Sequence, residues 1–154
     1  MSVHFLSKVP VWQQVVAPYS LGYRIRLLSQ MTGRSLQKKL EPYGLTPFHW
    51  VVLCCLWEND GLATFDIVDR LKQVGGTMTG VISRMEERDL VYRAQDERDR
   101  RIWRVWLTQT GRQLQQELPD VAAKNLQQVL NGFSEQEQKQ FSELVDKAIA
   151  NLSR

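Results

Sequence analysis

Apolar residues recur at helical spacing along most of this chain and give way to short β-rich runs in one place. Leu21, Ile25, Leu28, Met31, Leu36 and Leu40 share one helical stripe, which Pro42-Tyr43-Gly44 closes. Thr46-Pro47 reads as an N-cap followed by proline at the first helical position. The helix it opens, Phe48 to Trp57, is apolar all round, which predicts a buried central element. Asn59-Asp60-Gly61 ends it. Thr64 is expected to cap a short helix bearing Ile67, Val68 and Leu71, and after Val74-Gly75-Gly76 another helix carries Met78, Val81, Ile82 and Met85. Val91-Tyr92-Arg93 and Ile102 to Leu107 are rich in β-branched and aromatic residues and predict two strands, joined by a charged loop from Ala94 to Arg101. Thr108 is a good cap for a further helical region. Leu114, Leu118, Val121, Ala122, Leu126, Val129 and Leu130 hold the helical period across Pro119, so one helix kinked at that proline is expected. Ser134 and Glu137 form a capping box for a last helix striped by Phe141, Leu144, Val145, Ala148, Ile149 and Leu152.

This order predicts a mainly α fold with a small β-hairpin wing. Residues 43–112 read as a winged helix-turn-helix. Residues 1–42 and 113–154 supply more amphipathic helix than one small core can bury, and a second copy of the chain is the simplest cover, so they are expected to form a helical dimerisation region within one compact domain.

Composition adds little until it is sorted by position. The net charge is only +3, from 20 basic and 17 acidic residues. Eight of the arginines, however, lie between Arg84 and Arg112: Arg84, Arg88, Arg93, Arg98, Arg100, Arg101, Arg104 and Arg112, with no lysine among them. Guanidinium groups suit bidentate contacts to phosphate or guanine and insertion into narrow minor grooves. The alternative for the hairpin is a solvated loop in which Asp96, Glu97 and Asp99 pair the arginines. Attached to a helix-turn-helix, the cluster favours duplex DNA. Cys54 and Cys55 are adjacent, which excludes a disulfide framework and fits a reducing compartment. The start MSVHFLSKVPVW has no signal-peptide pattern, and the longest apolar run, Trp50 to Trp57, is far shorter than the roughly 20 residues of a membrane span, so a cytoplasmic location is expected.

Four short motifs in register are more specific. Thr77-Met78-Thr79 opens the second helix of the pair, Met85-Glu86 lies near its end, Asp96-Glu97-Arg98-Asp99-Arg100-Arg101 fills the hairpin, and Leu107-Thr108-Gln109-Thr110-Gly111 follows. With Thr46-Pro47, Trp50 and Leu53 upstream, this pattern resembles the MarR family of bacterial transcription regulators across roughly Leu21 to Leu152. The resemblance implies a homodimer on a near-palindromic duplex, with half-sites about 10 base pairs apart. It implies Gly76, Thr77, Thr79, Gly80, Ser83 and Arg84 in or near the major groove, Arg98 in the minor groove and Arg101 on phosphate. Asp96, Asp99 and Arg100, with Arg101, would brace the wing.

Two departures stand out. Val74-Gly75-Gly76 replaces the side chains usual at the start of the recognition helix, trading side-chain readout for close backbone approach, and Asp89 takes a position commonly held by glycine. The resemblance also implies a small aromatic or anionic effector as a partner, with Tyr23, Arg26, His49, Trp50 and Trp57 as candidate pocket residues and Arg24 or Arg26 as a carboxylate partner; the other reading of these aromatics is packing. Trp12 is expected to extend the dimer interface.

Nothing points to an enzyme. His4 and His49 are the only histidines, no ligand set has metal-site spacing, no cofactor motif occurs and no catalytic constellation is present. The alternatives to a ligand-modulated DNA-binding regulator are a winged-helix protein-interaction module without DNA binding and a thiol-based redox regulator acting through Cys54 or Cys55.

Overall fold

The computed structural model describes residues 20–72 and 75–153, with positions 10, 15 and 18. His4, Trp12 and Val74 lie outside the described residues, and so does the expected interface role of Trp12. In chain order the elements are α1 (Leu21–Leu40), a 3-10 turn (Glu41–Tyr43), α2 (Pro47–Glu58), β1 (Leu62–Ala63), α3 (Thr64–Leu71), α4 (Gly75–Glu87), β2 (Val91–Gln95), β3 (Trp103–Leu107), α5 (Gln109–Gln113), a second 3-10 turn (Leu114–Gln116), α6 (Leu118–Val129) and α7 (Glu135–Leu152).

The central helix forms for the reasons its sequence gives. Thr46 caps α2 by accepting from the His49 backbone N–H at 3.3 Å, and Nδ1 of His49 accepts from the Thr46 N–H at 3.2 Å. His49 thus closes a capping box where Glu or Gln is usual. Burial, with Arg88 and Arg84 nearby, pushes its pKa down and keeps the neutral, accepting form. Val52, Leu53, Cys55 and Leu56 of α2 enter the core, where they meet Ile67 of α3, Met78, Ile82 and Met85 of α4, and Val91, Val105 and Leu107 of the sheet.

The wing is an antiparallel sheet of order β1-β3-β2, in which Val91 faces Leu107 and Gln95 faces Trp103. The expected hairpin is therefore joined by a third strand, whose two residues pair Leu62 with Val105 and Ala63 with Arg104. Gly61 feeds that strand at φ 74, with the Trp106 ring against the position a Cβ would take. Thr64 is the first residue of α3 rather than its cap; Ala63 holds the cap position without a side-chain bond.

The single kinked helix expected around Pro119 is instead three pieces. α5 ends at Gln113, a 3-10 turn follows, and Pro119 lies in the first turn of α6, where its missing N–H costs no helical hydrogen bond. α6 packs along α1 through a polar seam. There Lys39 Nζ donates to Ser35 Oγ and Gln128 Oε1, both at 2.9 Å, and the buried Asn125 donates to the Thr32 carbonyl.

The outer helices keep apolar stripes that their own chain leaves uncovered. Of α1 only Leu40 is buried, while Leu21, Ile25, Leu28 and Met31 are exposed. No residue of α7 is buried, and Leu144, Val145, Ile149 and Leu152 face outward.

Candidate nucleic-acid interface

α4 is anchored by one face and offers the other. Met78, Val81, Ile82 and Met85 are buried, whereas Gly75, Gly76, Thr77, Thr79, Gly80 and Arg84 are exposed and Ser83 is half-buried. A Cβ added at Gly75, Gly76 or Gly80 would meet nothing within 4 Å, so packing inside the chain gives no reason for glycine there. A glycine within a helix costs roughly 0.5–1 kcal/mol relative to alanine. Three in six residues make a smooth, weakened helix start open to another surface. The exposed Thr79 bonds its hydroxyl back to the Gly75 carbonyl at 3.1 Å.

An ion pair fixes α4 to the wing. Arg93 on β2 donates from Nε to Glu86 Oε2 at 2.7 Å and from its backbone N–H to Glu86 Oε1 at 2.9 Å, and it reaches Ser83 Oγ at 3.4 Å. Glu86 of the Met85-Glu86 motif is therefore a strut between helix and sheet.

The Leu-Thr-x-x-Gly motif fixes the base of the wing. Thr108 Oγ1 accepts from the Gly111 N–H at 3.1 Å, capping α5, and donates to the Asp89 carbonyl at 2.5 Å. Asp89 itself takes the left-handed conformation, with φ 55, at the position commonly held by glycine. Gly111 lies against the Leu90 carbonyl oxygen, where no side chain fits, and its own carbonyl accepts from Trp57 Nε1 at 2.9 Å. Asp60 adds a second clamp. It takes the Leu107 N–H at 2.9 Å and Arg112 Nη2 at 2.6 Å.

At the tip, Asp96 organises the turn. One of its oxygens accepts from the Arg98 and Asp99 N–H groups, both at 2.8 Å; the other accepts from Arg104 Nε at 2.5 Å. Arg104 also donates to the Gly61 carbonyl at 2.9 Å. The Arg104 hydrogen bond, joined by the two backbone donors, holds the Asp96 carboxyl at about 2, well below its ordinary range. Asp99 takes Arg101 through two parallel bonds, Nε at 3.0 Å and Nη2 at 2.9 Å, which lowers the Asp99 pKa and raises that of Arg101.

These pairings redistribute the expected roles. Asp96 and Asp99 brace the wing, as does Arg101. Arg100 does so only through its carbonyl, which accepts from Gln95 Nε2 at 3.1 Å; its guanidinium makes no bond to the described residues. The guanidinium that ties the turn to a strand is that of Arg104, which lies in β3. Arg98 is exposed at the turn, and its guanidinium likewise has no partner among the described residues.

Three of the candidate effector residues have partners within the chain. His49 serves the α2 cap, Trp57 is bonded to Gly111, and Trp50 meets Trp57 edge to face with ring centroids 5.7 Å apart. Tyr23 and Arg26 lie on the exposed part of α1.

The fold and this surface define a winged helix-turn-helix protein. Residues 45–103 match the model of the MarR family. The HTH-type transcriptional regulator TtmR of Methylorubrum extorquens is 36% identical over 94 residues, covering 61% of this chain and 48% of TtmR, so the chain spans about half the length of that relative. Among solved structures, BpsR of Bordetella bronchiseptica, whose DNA binding is regulated by 6-hydroxynicotinic acid, superposes with a TM-score of 0.77 at 29% identity over 83% of this chain and 97% of that one. The S. aureus MepR–DNA complex superposes with a TM-score of 0.80 at 25% identity, over 86% and 98%. Over residues 45–103 the chain is similar to the MarR family, and the relatives it matches are named as transcriptional regulators or as DNA-binding proteins.

Proposed function

We propose that this chain is a homodimeric transcription regulator that grips a near-palindromic duplex operator. In this reading α4 enters the major groove, with Gly76, Thr77, Thr79, Gly80, Ser83 and Arg84 in or beside it. The wing reaches the adjacent minor groove through Arg98, with Arg101 near phosphate.

The observation that carries the reading is the asymmetry of the wing arginines. Asp96 and Asp99 consume Arg104 and Arg101, while the same Asp96 oxygen that accepts the Arg98 N–H fixes the backbone that displays the unpaired Arg98. Among the described residues Arg100 is unpaired too, but only at Arg98 does the carboxylate that braces the wing also fix the backbone N–H of the arginine it leaves unpaired. The open glycines of α4 agree with a partner that approaches the backbone closely.

Dimerisation is supported by the uncovered stripes of α1 and α7, which residues 1–42 and 113–154 would bury against a second copy. A small aromatic or anionic effector would act by changing the separation of the two α4 helices, a coupling of about 1–3 kcal/mol. Tyr23 and Arg26 are the groups left for it on α1. The thiol-switch alternative is disfavoured, because burial pushes Cys54 up to about 11 and leaves it a thiol rather than a reactive thiolate at neutral pH.

Electrophoretic mobility shift with the DNA upstream of the chain's own gene tests the reading, with Arg98→Ala beside the wild type. The expected result is a discrete wild-type complex that Arg98→Ala weakens by about 1–3 kcal/mol. Equal affinity of the two proteins at fixed salt would remove Arg98 from the interface.

A further inference from the structure

An open cleft lies between α4 and the wing strands, and Trp103 lines it. On β3 the residues that alternate on the core-facing side are Leu107, Val105 and Trp103. Leu107 and Val105 are buried in the core, but the row runs past the core's edge, and Trp103 is left 49% exposed. With Glu86 of α4 and Arg93 of β2 it lines the cleft, of about 390 Å³. Its indole N–H has no acceptor among the described residues, unlike that of Trp57.

The charge of the cleft is already settled. Glu86 is neutralised by the Arg93 guanidinium, whose Nε and Nη2 both meet Glu86 Oε2, while the Arg93 backbone N–H fills the other oxygen and Nη2 also reaches Ser83 Oγ at 3.4 Å. A large amphipathic ring beside a cancelled carboxylate, with a spare donor, suits a neutral or anionic chain that carries apolar patches.

A helix in one groove and a hairpin in the next straddle a single sugar–phosphate strand, which has to cross whatever lies between them. We propose that Trp103 is the seat of that strand: its Nε1–H donates to a phosphate oxygen while the ring lies against a deoxyribose. The assignment rests on the DNA-binding reading above. It adds a contact that fixes register without reading sequence, the role most backbone contacts play. Because indole is neutral, the contact releases no counterion, and this separates it from the arginine contacts.

Fluorescence anisotropy with a labelled duplex from the upstream region, and with an unrelated duplex, tests this. Trp103→Phe keeps an aromatic ring at the site and removes the donor together with the fused pyrrole. It is expected to weaken binding to both duplexes roughly tenfold, as for a lost hydrogen bond to a charged group, at an unchanged salt slope and an unchanged melting temperature. A methylphosphonate scan of the duplex should find one position where wild-type binding falls and Trp103→Phe loses nothing further. Trp103→Phe binding as tightly as wild type, or weakening only together with the melting temperature, overturns the assignment. A wild-type chain that binds neither duplex overturns the underlying DNA-binding reading as well.

Discussion

Arg104 donates from Nε to Asp96 Oδ2 at 2.5 Å across the open end of the wing, while the other Asp96 oxygen takes the Arg98 and Asp99 N–H groups. One carboxylate thus ties strand to turn and sets the backbone from which Arg98 projects. The folded-state pKa of Asp96, about 2, lies below its ordinary value of 3.8. A carboxylate with a depressed pKa contributes stability that is present above the unfolded value and lost as pH falls through the folded one. Wing-tip amides at Arg98 and Asp99 should therefore lose hydrogen-exchange protection as pH drops from about 4 toward 2. Asp96→Asn should show low protection at both ends of that window, and a wild type with no pH response there would count against the Asp96 hub.

Gly111→Ala should destabilise the fold. The added methyl meets the Leu90 carbonyl oxygen, a backbone atom fixed by the Thr108 N–H bond to it at 3.1 Å, so relief requires moving the base of the wing. A cost of about 2–3 kcal/mol is expected, with Tm lower by several degrees in calorimetry. A Tm equal to wild type would show that this contact yields freely.

Gly80→Ala should move stability and binding in opposite directions. A Cβ there meets nothing within the chain, so alanine should stabilise α4 by about 0.5–1 kcal/mol in thermal melts. The same methyl would stand between α4 and DNA and is expected to weaken duplex binding roughly tenfold. A stabilised variant with undiminished affinity would take Gly80 out of the interface.

Leu28→Asp combined with Ile149→Asp should separate a dimer into monomers. Both residues are exposed on the stripes of α1 and α7, so the chain alone should tolerate the charges. Sedimentation velocity is expected to show wild type at twice the 17.9 kDa chain mass and the variant at the single-chain mass. A wild type already at the single-chain mass contradicts the role proposed for residues 1–42 and 113–154.

Much of this arrangement was legible in the residues, and the misses share a cause. Thr46-Pro47, Ser134 with Glu137, and the apolar run of α2 are local signals, and each yields the element it predicts. Asp89 was readable as a left-handed turn because so few residues tolerate one. The arginine cluster marked the wing, yet the choice of Arg104 over Arg100 as its brace depends on the register of β2 against β3, which no local pattern sets. β1 is two residues long and has no periodicity to read. The apolar period runs across Pro119 whether the chain bends there or begins a new helix, so spacing alone favoured the wrong choice. The bonds that His49 and Trp57 make were not legible, because their partners, the Thr46 backbone and the Gly111 carbonyl, are main-chain atoms that sequence does not display. Trp103 carried a usable signal: it alternates with Val105 and Leu107, and only the end of the core beneath it turns a strand aromatic into a surface group.

In the proposed function α4 and the wing together grip duplex DNA, and the salt dependence of binding probes that grip. Affinity for the upstream duplex, measured by anisotropy over a range of salt concentrations, should fall linearly on a log–log plot. The slope should be steep and negative, close to −0.9 for each phosphate neutralised. No measurable binding at low salt, or an affinity indifferent to salt, would contradict the account.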